Sequence, residues 1–138
     1  MAQPNGLNPE FEGLHLKTQS LVAAGTDALA DTNKINPGVV AATVTAVTTN
    51  ANDWVRLPAL SSVNIGHEIR IYAGAGSNFE LRTPASSNEK INDVDSDGTQ
   101  EYLVTDTDTV ICTKISSTAW IAQSLTKLGA VRTAVVPD

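Results

Sequence analysis

A chain of 138 residues with a formal net charge of −6 and one cysteine is long enough for a single hydrophobic core and too short for two. Nine basic residues against fifteen acidic ones, with no cluster of Lys or Arg, argue against binding to a phosphate backbone. The lone Cys112 excludes an intrachain disulfide and is expected to be a buried, free thiol. No apolar run approaches the roughly 20 residues of a membrane span, and MAQPNGLNPEFEG at the start lacks the apolar centre of a secretion signal. Synthesis in the cytoplasm without a membrane partner is the expectation.

Sixteen threonines, abundant valine, and only two each of Phe, Tyr and Trp describe a β-rich chain with a core of small aliphatic side chains. At roughly 25 cal/mol per Å² of apolar area buried, such a thin core gains much from burying further surface against copies of itself or a partner.

In chain order, residues 1–20 are expected to form an extended arm. Its first thirteen residues hold two prolines, two glycines and three Asn or Gln, which build neither a helix nor a central strand. Residues 14–35 read better as extended than as helix, because Leu14, Leu16 and Val22 suit a strand and Gly25 interrupts the helical alternative. After Pro37 and Gly38 comes GVVAATVTAVTTN, with Val40, Ala42, Val44 and Ala46 on one face and Val39, Ala41, Thr43 and Thr45 on the other. That strand is expected to be covered on both sides. From Trp54 to Ala122 apolar and polar residues alternate with period two in WVRLP (54–58), HEIRIYA (67–73), NFELRTP (78–84), EKIND (89–93), TVICTKI (109–115) and TAWIA (118–122). This is the pattern of half-buried strands, and residues 21–125 are expected to form one antiparallel β-sandwich, with 126–138 as a tail. The sharpest pairing expectation is a hairpin around AGAGSN, with Ile71 opposite Phe79, Ile69 opposite Leu81, Arg70 opposite Glu80 and Glu68 opposite Arg82. No repeat of 20 to 50 residues is visible, which argues against a solenoid or propeller.

No constellation signals catalysis. His15 and His67 have no nucleophile or metal-ligand spacing around them, and Ala73-Gly74-Ala75-Gly76 lacks the Lys and helix of a phosphate-binding loop. Asp93, Asp95 and Asp97, followed by Gly98 and with Glu101 further on, resemble the opening of a calcium loop. The twelfth position is Val104, however, and a solvated Asp-Gly turn is the plainer reading. No cofactor and no required metal are expected. Trp54, which shares a face with Arg56, would stack on a sugar if exposed, but interface or core packing is the plainer reading for it, and Trp120 reads as core.

Leu57-Pro58, Ile65-Gly66, the Ile69-Ile71 strand, Pro84, Ile91-Asn92 and Trp120, spread over residues 51–123, together resemble a small β module of tailed-bacteriophage virions, especially head-decoration (cement) proteins. The resemblance implies a non-enzymatic sandwich or jelly-roll-like module, a homotrimer on the capsid exterior that bridges major capsid subunits. The alternative is a tail or fibre module that binds a host glycan or receptor. Leu14, Leu16, Trp54, Val131, Val135 and Val136 are the interface candidates, since extended apolar segments near both termini suit strand addition or groove docking.

Overall fold

The computed structural model describes residues 16–25, 33–46, 53–84, 88–92 and 101–133. Ten strands run through them: β1 (Lys17–Ala23), β2 (Val39–Ala46), β3 (Trp54–Arg56), β4 (Glu68–Ala73), β5 (Phe79–Arg82), β6 (Lys90–Ile91), β7 (Glu101–Val104), β8 (Thr109–Lys114), β9 (Ala119–Leu125) and β10 (Val131–Arg132), with one 3-10 turn at Leu60–Ser62. The protein is all-β. Most of the alternating segments become strands, and burial follows the alternation: Ile69, Ile71 and Ala73 of β4 are buried while Glu68, Arg70 and Tyr72 are exposed.

The strands form a seven-stranded sheet ordered β1-β2-β4-β8-β9-β10, with β6 also on β9, and a three-stranded sheet ordered β3-β5-β7. Both feed one core, in which Val44, Ile69, Ile71, Val110 and Trp120 of the large sheet join Val55, Phe79, Leu81 and Val104 of the small one. Tyr102 ties the sheets together, its hydroxyl lying 2.8 Å from Ser124 Oγ.

Strand direction departs from the expected antiparallel sandwich. β1, β2 and β4 are mutually parallel, and β3 is parallel to β5. A parallel pair needs a crossover, and here the crossovers pass through the opposite sheet: β2 reaches β4 by way of β3, and β3 reaches β5 by way of β4. Residues 33–35 lie beside β3, with Arg56 N–H donating to Asn33 O at 3.0 Å and Ile35 N–H to Arg56 O at 2.9 Å. The chain thus winds through three coils, β1 with residues 33–35, β2 with β3, and β4 with β5, before β7 and β8 return antiparallel on β5 and β4. This solenoid-like winding corrects the expectation drawn from the missing repeat. The coil strands of the large sheet begin at residues 17, 39 and 68, and such unequal coils leave no sequence period.

The hairpin expectation is also overturned. β4 and β5 lie in different sheets, and Ile71 pairs with Ala42 and Val110 instead of Phe79. Both edges of β4 are taken, one by β2 and the other by β8, so no edge remains for β5. The ladder with β2 even continues past β4, where Gly74 N–H donates to Val44 O at 2.8 Å. A Cβ on Gly74 would sit 3.1 Å from Thr45 Cγ2 and 3.3 Å from Val44 O, a close backbone approach that accounts for a glycine here. The charges pair along the strands, Arg70 with Glu68 at 3.2 Å and Arg82 with Glu80.

β2 differs in detail. A register shift beside Lys17 and Thr18 turns Val39 inward with Ala42 and Val44, and Thr43 and Thr45 are exposed. One face of β2 therefore meets solvent, where cover on both had been expected. The last residues set aside as the arm, 17–20, belong to β1, and β10 lies within the segment set aside as the tail.

Candidate functional site

Among the described residues no group of three or more His, Cys, Asp or Glu is placed to hold a metal ion, and no helix is long and apolar enough to cross a membrane. Asp93, Asp95 and Asp97 lie outside the described residues, as do Leu14, His15, Val135 and Val136, while the backbone of Glu101 opens β7. Cys112 is fully buried in the core, and that burial pushes its thiol far above the usual range, the state of an inert thiol. His67 Nε2 donates to Val39 O at 3.0 Å, which stitches the start of β4 to β2. The Gly74 to Gly76 segment forms a turn, its Gly76 N–H held by Asp106 Oδ1 at 2.7 Å.

Trp54 is only 2% exposed, which corrects its reading as an exposed platform or interface residue. It sits on the outer face of the small sheet in register with Glu80, and Arg56 aligns with Arg82 on the next row. The two guanidinium carbons lie 4.5 Å and 5.7 Å from the indole centroid, within cation–π range. Glu80, itself buried, accepts from Arg82 Nε at 2.9 Å and from Nη2 at 2.5 Å. The cluster caps this face with its own side chains and offers no open aromatic surface.

A second polar cluster holds the 3-10 turn. Leu60 N–H donates to Glu89 Oε1 at 2.9 Å, and buried Lys114 gives its ammonium to Leu60 O at 2.7 Å and Val63 O at 2.8 Å. Burial raises the Glu89 carboxyl above its ordinary value, against the opposing effects of the Leu60 N–H and the Lys114 charge. Opposite charges thus grip the N–H and the C=O of one residue, Leu60, which is structural work.

Two surface features remain. The first is the edge of the large sheet, where β1 pairs with β2 and, among the described residues, carries no strand on its other side. Leu16, just before β1, is 66% exposed, and Val22 within it is also exposed. At the opposite edge Val131 of β10 is 64% exposed, beside Arg132, whose Nε pairs with buried Asp108 at 2.5 Å. Of the six interface candidates, Leu16 and Val131 are therefore at the surface.

The second feature is a groove of about 620 Å³ on the outer face of the large sheet. Val40 and Ala41 of β2 line it together with Glu68, Arg70 and Tyr72 of β4; Gly66, His67 and Leu16 complete the lining. Sequence reasoning missed this set. The alternation had put Glu68, Arg70 and Tyr72 on one face, but the assumed hairpin assigned the two charges to β5.

Neither a protein-family model, nor a curated protein, nor a solved structure matches this chain.

Proposed function

We propose that the chain is a non-enzymatic structural protein of a tailed-phage virion, a capsid decoration protein that acts as a homotrimer on the capsid exterior and bridges major capsid subunits. The observation that carries the reading is the free outer edge of β1 among the described residues, entered directly from the N-terminal segment and flanked by exposed Leu16. An open edge with unpaired backbone groups is a template for an added strand. Apolar side chains beside it supply the contact area that a clamp between subunits needs, since obligate interfaces bury on the order of 2,000 Å² or more. The sequence resemblance over residues 51–123 supports the same role. The two sheets then serve as the rigid body of the sandwich or jelly-roll-like module that the resemblance implies, and the acidic surface keeps the protein off packaged DNA.

Decoration works mechanically: packaged DNA pushes capsid subunits apart, and area buried across several of them raises the cost of separation. The test is co-sedimentation of the purified chain with empty, expanded heads of the phage whose genome carries it. Saturable binding at hundreds of copies per head supports the reading. No binding to heads, or a few copies at one vertex, sinks it, and the latter outcome favours the tail or fibre alternative.

A further inference from the structure

We propose that the groove on the outer face of the large sheet is a binding site for a neutral saccharide, with Tyr72 as the stacking platform and the Glu68–Arg70 pair as the hydroxyl clamp. The inference goes beyond the attachment reading and does not depend on it, because a head module and a tail module would both present this face.

A saccharide ring has two kinds of surface, an apolar patch of C–H bonds and a rim of hydroxyls that both donate and accept. Recognition in water needs an exposed aromatic face for the first and fixed, paired donors and acceptors for the second. Trp54, the candidate platform in the sequence, is sealed under its arginines. Tyr72 is 42% exposed and lines the groove. Glu68, Arg70 and Tyr72 stand on alternate positions of one strand, so they follow one another along the groove at roughly 7 Å intervals. The ion pair engages Arg70 Nε and Glu68 Oε1. The other carboxylate oxygen and the terminal guanidinium nitrogens belong to half-exposed side chains and can meet hydroxyls on one ring. Because His67 Nε2 is engaged with Val39 O, Nδ1 is the ring nitrogen that can meet a hydroxyl. On β2 the lining is made by Val40 and Ala41, whose short side chains leave the space. The volume of about 620 Å³ falls within the roughly 300–1,000 Å³ of small-molecule clefts.

Charge selects the ligand class. Glu68 and Arg70 cancel within the groove, and the whole chain carries −6, so an anionic sugar or a phosphate meets net repulsion while a neutral one does not.

The experiment is saturation-transfer NMR on the full chain with galactose, glucose, mannose, N-acetylglucosamine and lactose at millimolar concentration, repeated on variants. At least one sugar is expected to bind. Tyr72→Ala should weaken it by about tenfold or more and Tyr72→Phe by no more than about threefold. Glu68→Gln should weaken it to an intermediate degree. Ala41→Gln, which fills the groove from β2 without touching the platform, should also abolish binding, so the outcome does not hang on one variant's fold. A panel without a binder, or binding unchanged in Tyr72→Ala, overturns the inference. So does a change of mass in light scattering for Tyr72→Ala, which would make the groove a contact between copies.

Discussion

Lys114 shows how much one side chain can hold in a thin β core. Its stem is buried and its ammonium serves two carbonyls of the 60–63 segment, so replacing it strands both acceptors and removes the positive charge beside Glu89. Lys114→Met, which keeps the packing, is expected to lower unfolding stability by about 2 to 3 kcal/mol, read by chemical denaturation. Glu89 gives the pH dependence its sign. Its folded carboxyl is raised by burial above the ordinary value of 4.5, so between that value and the folded one the unfolded chain holds fewer protons than the folded chain. Stability from this group is then complete below about pH 4.5 and is lost as pH rises through the folded pKa. Glu89→Gln keeps an amide oxygen for the Leu60 N–H and should flatten that decline. Melting temperatures between pH 4.5 and 7 check it, and an equally steep fall in the variant contradicts the assignment.

At the scale of elements, short strands survive by borrowing. β6 has two residues in its ladder with β9, and Asn92 extends it: the side-chain amide donates to Ala122 O at 2.9 Å and its oxygen accepts from Ala122 N–H at 2.7 Å. Asn92 does this from a φ of 57°, a backbone region that asparagine tolerates better than most residues. Asn92→Ala loses both bonds and keeps the strained backbone, and should cost about 1 to 3 kcal/mol. Asn92→Gly relieves the backbone but not the bonds, so it should fall between wild type and alanine. Denaturant midpoints at a common slope separate the three. The misread hairpin belongs to the same scale. Alternation in residues 68–73 and 79–82 fixed which side chains face inward, and Ile69, Ile71, Phe79 and Leu81 are all buried. It could not tell whether these residues meet side by side in one sheet or from opposite sheets across the core. Both arrangements satisfy the same pattern.

For the whole molecule, the large sheet's edge sets the prediction. Deleting residues 1–13 leaves all ten strands intact, so the truncated chain should melt cooperatively and keep its oligomeric mass. Ordering a residue costs roughly 1 to 2 kcal/mol in backbone entropy, and on the proposed attachment the proline- and asparagine-rich segment would offset that by contacts with the capsid. The truncated protein is therefore expected to bind expanded heads about tenfold more weakly, a loss of about 1.4 kcal/mol. Equal decoration by both forms would show that the segment is not the clamp. Light scattering of the full chain should give a trimer, and a stable monomer at micromolar concentration would count against the assembly.

What the sequence determined by itself was local: an all-β chain, the positions of most strands, the inward set that includes Trp120 and Cys112, and the turn at Gly74 to Gly76. These follow from side-chain period and backbone sterics, which act over a few residues. β7 escaped because it sits in an acidic stretch, although Tyr102 and Val104 alternate inward there. Tertiary structure alone decided which strands are neighbours, that three coils run parallel, that Trp54 is sealed by Arg56 and Arg82, and that Tyr72 is left open. Pairing is a competition among edges far apart in the chain, settled by which arrangement buries both inward faces in one core and by where the crossovers can pass. No window of sequence contains that contest.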